Sequence, residues 1–183
     1  MIGIYMGRKR GEVAGLKWTD IDLENGEMTV ERSRSPVAGK GVVEKEPKSK
    51  YSAKTYAMPP TLTKHLKKYR EWWDGYVENV IGDKYQGEPY LFLQYTGKPT
   101  YPSTIYTWWK KLQKKYGLKD VHYHSLRKTN ISVQYASNQI PSEIIAGRAG
   151  HANDRVTKQN YLTLFKKDDH KTAAIVDSLF AAK

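Results

Sequence analysis

The stretch that decides the fold is Gly7-Arg8-Lys9-Arg10-Gly11-Glu12, which runs on into Leu16-Lys17-Trp18-Thr19-Asp20-Ile21. Three consecutive cationic side chains stand between two glycines, and an acid follows the second glycine. Two short signals follow much later in the chain: His124-Ser125-Leu126-Arg127, and Gly150-His151 with Tyr161 ten residues on. Cations, imidazoles and a phenol in one chain are the groups that act on a phosphodiester, so these three signals are considered together.

The residue types indicate phosphoryl transfer without a metal. There are no cysteines, and no cluster of carboxylates and histidines is evident, so we predict no metal site and no cofactor. Positive side chains must then stabilise the nonbridging oxygens, with Arg127 as the best candidate and His124 and His151 as hydrogen-bond donors. Tyr161 is a possible covalent nucleophile, because a phenol with pKa ~10 becomes reactive beside positive charge. Lys50 could protonate the leaving 5′ oxygen, and Lys48 is its rival on the same face of a strand.

The charge balance favours a polyanionic partner. The chain has 183 residues, 31 lysines and arginines against 19 acids, and a net charge of +12. The interval 40–70 holds nine basic residues opposed only by Glu44 and Glu46. We therefore predict double-stranded DNA as the partner, with a merely solubilising basic face as the alternative. The predicted DNA contacts are Lys45, Lys48, Lys54, Arg8, Arg10 and Lys128.

The pattern of apolar residues predicts a mainly α-helical domain with a small three-stranded antiparallel β-sheet. Length and composition suit one globular domain, and no membrane-spanning run or signal peptide is evident, so we expect a cytoplasmic protein. The first helix, 1–16, starts in apolar sequence without a cap, which suggests that its beginning and whatever preceded it are missing. The predicted strands are 28–34, 42–46 and 51–58, with 35–40 as a loop. Further helices are predicted at 61–80, from a cap at Ser103 to 116, and at 125–136, 141–148, 154–161 and 168–181.

These residues, in this order, resemble the catalytic domain of the tyrosine recombinases, also called phage-type integrases. The family pattern is an arginine within G-x-R-x-G-E, a lysine in a β-hairpin, H-x-x-R, and G-H followed by a tyrosine. The resemblance covers nearly the whole chain, so 1–183 would be one catalytic domain that lacks the family's N-terminal DNA-binding domain. The spacing from His151 to Tyr161 is similar to that of conjugative-transposon integrases. The resemblance implies site-specific recombination of mobile DNA through a 3′-phosphotyrosyl intermediate. It also implies that the protein is a monomer in the absence of DNA and assembles as a homo-tetramer on DNA.

One position departs from the family pattern. Gly7, Gly11 and Glu12 set the register, which places Lys9 where the first catalytic arginine is expected. Lysine is a point charge, whereas guanidinium offers a planar fork to two phosphate oxygens. If the segment is helical, Arg8 and Arg10 each point about 100° away from Lys9. Either the chain carries an inactivating change, natural or engineered, or the backbone brings a neighbouring arginine into place.

Two other functions use the same residues. The first is a catalytically inactive DNA-binding remnant or regulator of the same fold, which Lys9 favours. The second is a relaxing activity like that of type IB topoisomerases, which shares the chemistry. The last predicted helix, 168–181, carries an apolar stripe that either packs on its own domain or mediates assembly.

Overall fold

The computed structural model describes residues 1–45 and 54–150. Its helices are α1 (Ile2–Tyr5), α2 (Arg10–Gly15), α3 (Pro60–Tyr76), α4 (Pro102–Lys115), α5 (His124–Ala136) and α6 (Ser142–Ala149). The strands are β1 (Ile21–Asp22), β2 (Glu27–Val30), β3 (Ser33–Val37), β4 (Gly41–Lys45) and β5 (Lys54–Ala57). The predicted fold class, mainly helical with a small antiparallel sheet, is confirmed. In the described part of the chain, no helix is long and apolar enough to cross a membrane.

The predicted first helix is two helices. Gly7 adopts φ +62°, a left-handed conformation that ends α1, and Lys9 is extended, with φ −67° and ψ 151°, as the N-cap of α2. A side chain at Gly7 would also bring its Cβ within 2.8 Å of Asn130 Oδ1. The chain therefore turns sharply at 6–9, in the middle of the segment for which the sequence predicts one continuous helix.

The strands also pair differently from the prediction. The segment expected to be one strand at 28–34 divides into β2 and β3, which belong to two separate sheets. One sheet has the order β1-β2-β5, and the other is formed, within the described residues, by β3 and β4. β3 continues through Pro36, inside the predicted loop, because proline is tolerated in an edge strand, and among the described residues β3 pairs with β4 alone. Between the two strands, Arg32 turns inward and its Nη1 lies 2.5 Å from Asp20 Oδ2.

The apolar core lies between the three-stranded sheet, α3 and the segment 90–93. Met28, Val30, Leu62 and Leu91 are almost wholly buried there. Trp73 of α3 packs edge-on against Trp18, with ring centroids 6.0 Å apart, and its Nε1 donates to Tyr90 O at 3.0 Å. α3 continues into a π-helical turn, Val77–Ile81. α4 starts with Pro102 at its first turn and Tyr101 as N-cap, so the predicted cap at Ser103 is wrong.

The remaining helices bring the two ends of the described chain together. α5 packs on α1, and α6 packs on α5. The amide of Asn130 donates to Ile4 O at 2.8 Å and to Tyr5 O at 3.1 Å, which satisfies carbonyls at the end of α1. The loop at 6–9, the start of α5 and the end of α6 therefore lie side by side.

Candidate functional site

The side chains of Arg8, Lys9 and Arg10, between α1 and α2, point in different directions. Successive side chains of an extended backbone point in opposite directions. Arg8 is accordingly buried, with 2% of its surface exposed, whereas 42% of the Lys9 side chain is exposed and Arg10 is exposed too. The expected helical arrangement of Arg8 and Arg10 around Lys9 is therefore wrong. The prediction of Arg8 as a surface DNA contact is also wrong, because its guanidinium lies in the interior.

Lys9 is held at the start of α2 by Glu12. The Lys9 backbone N–H donates to Glu12 Oε2 at 2.9 Å, and its ammonium lies 3.6 Å from Glu12 Oε1. Glu12 is buried, so its side-chain oxygens bind Lys9 rather than water. The contact of Glu12 with the Lys9 backbone caps α2, and the ion pair holds the Lys9 ammonium at the protein surface. The exposed edge formed by Lys9 and Arg10 is called the rim of the site.

Arg127 lies behind this rim and joins two segments. Its Nη1 donates to Gly7 O at 2.8 Å, and its Nη2 donates to Ala149 O. Burial lowers the pKa of Arg127, and Arg8 acts in the same direction, while Glu12 opposes them. The predicted arginine of the second signal thus connects the first signal to the end of α6.

His124 begins α5, one turn before Arg127, so both residues lie on one face of the helix. Its imidazole is exposed, unlike the guanidinium of Arg127. Partial burial lowers the pKa of His124, and the positive charges of Arg127, Lys128 and Lys9 lower it further. The imidazole is therefore neutral at pH 7 and can accept or donate a hydrogen bond.

Two clefts open on either side of Lys9. One has a volume of about 450 Å³ and is lined by Lys9, Arg10 and His124 together with Arg8, Tyr106, His122 and Tyr123. The other, of about 430 Å³, is lined by the same three residues together with Arg34 and Lys45. The structure therefore brings Lys9, Arg10, His124 and Lys45 into one positively charged region. Such a surface attracts phosphate.

Lys54 and Lys128 lie beside this region. Lys128 is exposed on α5 and is one of the charges that lower the pKa of His124. Lys54 is exposed on β5, with its ammonium 5.3 Å from the centroid of the Tyr56 ring. The guanidinium of Arg8 lies over the same ring at 4.2 Å.

Four predicted site residues lie outside the described residues: Lys48, Lys50, His151 and Tyr161. The predicted helices 154–161 and 168–181 do too. Their roles stay predictions.

Sequence reasoning missed two buried residues that organise the site. In the sequence pattern Glu12 only sets the register, although an acid three residues after an N-cap is a helix-start signal that could have identified its contact with Lys9. Tyr56 supports both Arg8 and Lys54 and carries no sequence signal beyond its place in a strand. The inward turn of Arg8 does not follow from a pattern that predicts a continuous helix.

The whole arrangement matches a known family. The model of the phage integrase family matches residues 1–168. The chain belongs to the phage integrase family.

Individual relatives support the same membership. A XerC-like tyrosine recombinase of Caldanaerobacter subterraneus is 27% identical over 98% of this chain and 48% of that protein. The ICEBs1 integrase of Bacillus subtilis is 25% identical over 97% of this chain and 47% of that protein. This phage integrase family chain therefore spans about half the length of the curated relatives it matches.

Solved structures of family members share the fold. The Tn1549 transposon integrase, in complex with transposon right end DNA, superposes with a TM-score of 0.71 at 23% identity, over 87% of this chain and 52% of that one. The XerA recombinase superposes with a TM-score of 0.67 at 22% identity, over 93% of this chain and 53% of that one. At this level of identity the likeness concerns the fold alone.

Proposed function

We propose that this chain is the catalytic part of a tyrosine recombinase that cuts and rejoins double-stranded DNA during site-specific integration or excision of mobile DNA. The observation that carries the proposal is the convergence of Lys9, His124 and Arg127, from signals more than 110 residues apart, at one positively charged region. Membership of the phage integrase family supports the reaction class.

In the proposed reaction, Tyr161 reacts as the phenolate, which the surrounding positive charge favours, and its oxygen attacks the phosphorus of a DNA phosphodiester to form a 3′-phosphotyrosyl bond. The bond to the 5′ oxygen breaks, and that oxygen takes a proton from Lys50. A 5′ hydroxyl from a second strand then attacks the phosphotyrosine and releases the enzyme. Because the covalent link conserves the energy of the original bond, neither ATP nor a metal is needed.

The described residues would stabilise the phosphate during attack. Arg127 would add the positive charge of its guanidinium, which the bonds to Gly7 O and Ala149 O hold in place. Neutral His124 can donate to a nonbridging oxygen, with His151 proposed beside it, and Lys9 adds positive charge. Lys45, Lys54, Arg10 and Lys128, with Lys48, would hold the flanking phosphates.

The partners follow from this proposal. We propose double-stranded DNA as the substrate, a homo-tetramer as the assembly on DNA, a monomer in its absence, and the cytoplasm as the place of action. The Tn1549 transposon integrase with its DNA is a structural precedent for the first of these.

A covalent capture experiment tests the proposal with DNA of any sequence. The protein is incubated with nicked duplexes of randomised sequence, in which the cleaved end diffuses away, and SDS-stable protein–DNA adducts are isolated and sequenced. We expect adducts with the chain as it stands and none with Tyr161→Phe, while the DNA affinity of that variant stays within a few fold. Adducts formed by Tyr161→Phe would refute the assignment of the nucleophile.

The second candidate is a catalytically inactive DNA-binding remnant, and the observation in its favour is Lys9. It is supported if neither the chain nor its Lys9→Arg variant forms an adduct although both bind DNA. Relaxation of supercoiled plasmid without exchange of strands between duplexes would instead indicate the activity of a type IB topoisomerase.

A further inference from the structure

Arg8 joins three separate segments from inside the molecule. Its guanidinium stacks on Tyr56 of β5 at 4.2 Å, Nε donates to Met6 O at 2.8 Å, and Nη2 donates to Arg148 O. Arg148 in turn reaches β5, where its Nη2 donates to Ala57 O at 3.1 Å. The loop at 6–9, β5 and the last turn of α6 are therefore connected through a single buried side chain.

The end of α6 is held by two guanidinium groups rather than by one. Arg8 binds the carbonyl of Arg148 and Arg127 binds the carbonyl of Ala149. The last carbonyls of a helix have no partner within the helix and form the negative end of its dipole, so a cation suits both positions. Gly150 then turns left-handed, with φ +69°, and the next residue in the sequence is His151.

Stability alone does not account for a guanidinium at this place. Arg8, Arg127 and Arg148 are close enough to repel one another: burial lowers the pKa of both Arg127 and Arg148, and Arg8 adds to each effect. The buried Glu12 opposes the effect at Arg127. Within residues 1–45 and 54–150, the buried Nη1 of Arg8 has no hydrogen-bond partner. An apolar side chain of similar size would pack on Tyr56 without these costs. What such a side chain would not supply is the bond to the end of α6.

We propose that Arg8 is a positioning residue for DNA cleavage: it fixes where the last turn of α6 lies relative to Lys9 and His124. The proposal rests on the function proposed above. Arg8 does not touch the DNA; it acts through the helix end that leads to His151. A displacement of about 1 Å at a reacting group can cost on the order of 10²-fold in rate.

The test is Arg8→Met, which keeps most of the volume and removes both hydrogen bonds. On a nicked duplex obtained by covalent capture, we expect the single-turnover rate of adduct formation at saturating DNA to fall by at least about tenfold. The Kd for DNA should stay within about threefold, because a buried group contributes little to phosphate binding. The melting temperature should change by no more than about 4 °C, since the lost bonds are offset by removal of a buried charge.

Arg70→Met is the matched control. Arg70 is also an arginine over aromatic rings, 5.0 Å from Trp18 and 5.1 Å from Trp73, and it lines neither cleft beside Lys9. It should leave the rate of adduct formation unchanged. An unchanged rate in Arg8→Met would overturn the proposal, and so would a rate that falls only in proportion to DNA affinity and melting temperature, because that result indicates a general loss of structure.

Chemical rescue separates positioning from loss of structure. In Arg8→Ala, added ethylguanidinium should restore at least a third of the lost rate, whereas ethylammonium should not, because only the planar ion can bind both Met6 O and Arg148 O. Equal rescue by the two ions would contradict the proposal.

Hydrogen exchange keeps the proposal testable if the chain forms no adduct. In Arg8→Met, exchange should become faster in 142–150 and 54–57 and stay unchanged in α3. Missing adducts with this pattern would refute the proposed function and leave the structural role of Arg8 standing. Unaltered exchange in 142–150 would overturn that role.

Discussion

Different interactions stabilise two interior regions of the molecule. One region packs against α3, and the other lies between the 6–9 loop, α5 and α6. Against α3, the rings of Trp18, Tyr69 and Trp73 pack at centroid distances of about 6 Å. On the other side, Arg8, Glu12 and Arg127 are buried, the two arginines bind backbone carbonyls, and Glu12 forms an ion pair with Lys9. The aromatic arrangement suits a scaffold, because its apolar contacts contribute to stability without requiring the directional geometry of hydrogen bonds. The second suits a site, because each bond fixes a position.

The comparison predicts that removing a ring from the aromatic side has the largest effect on stability. Trp73→Ala should cost about 3–5 kcal/mol, since the indole is 4% exposed and its Nε1 binds Tyr90 O. Denaturant unfolding measures this. The adjacent Trp72, which is 56% exposed and stacks on Tyr69 and Tyr76, is the control, and Trp72→Ala should cost about 1 kcal/mol or less. If both variants lost a similar amount of unfolding free energy, Trp72 would contribute to the apolar core as much as Trp73 does, contrary to the structure.

On the charged side, a change at the rim should alter the rate and leave stability alone. Lys9→Arg restores a planar fork at the mouth of the clefts. We expect adduct formation to rise by roughly 10²–10³, or ~3–4 kcal/mol, with DNA affinity and melting temperature nearly unchanged.

Arg10→Ala is the control for Lys9→Arg and should have a mild effect on cleavage, because exposed Arg10 is proposed to hold a flanking phosphate rather than the one that is cut. If Lys9→Arg has no effect and Arg10→Ala abolishes cleavage, the register set by Gly11 and Glu12 does not hold, and Arg10 is the arginine that acts on the phosphate.

Substitution of the surface lysines should change DNA binding without affecting the packing of either interior region. Lys45→Ala and Lys54→Ala should each reduce the slope of log K against log[salt] by about 0.9, because each releases one phosphate contact. Lys84→Ala is the control, since Lys84 is exposed and lines neither cleft. Fluorescence anisotropy over a range of salt concentrations gives the slopes. Slopes that do not differ among the three variants would mean that the basic face only confers solubility.

The smallest expected effect is a pH dependence of binding at His124. In the free protein its pKa lies below the usual value, because of burial and the neighbouring Arg127, Lys128 and Lys9. A phosphate at the site would raise that pKa, so binding takes up a proton and affinity should increase as the pH falls from about 7.5 towards about 5.5. One proton limits the effect to about tenfold per pH unit. His124→Gln should abolish this part of the pH dependence, and an identical profile in the variant would place the phosphate elsewhere.

The two regions also differ in how well the sequence predicts them. The apolar spacing along α3 correctly indicated Leu62, Leu66 and Trp73 as buried, because a helical stripe must face a core. The structure places Lys9 and His124 at the same clefts, with Arg127 bound to Gly7 O behind them, and their catalytic roles stay predictions. At the division of 28–34 between two sheets, Arg32 contacts Asp20, a tertiary contact that the periodicity of the sequence does not predict. Arg8 is buried next to Gly7, whose positive φ turns the chain at this point. The periodicity of apolar residues does not predict such a turn or the contacts that follow from it.

Gly11 has a practical consequence for anyone who would redesign this protein. A Cβ at this position would lie 2.5 Å from Ser33 Oγ and 2.8 Å from Arg34 O, so α2 rests directly on β3. Any side chain larger than a hydrogen at Gly11 would therefore push α2 and β3 apart and disturb the Lys45 cleft. Libraries meant to reshape this cleft gently should vary the strand, at Ser33 and Ser35, and leave the glycine alone.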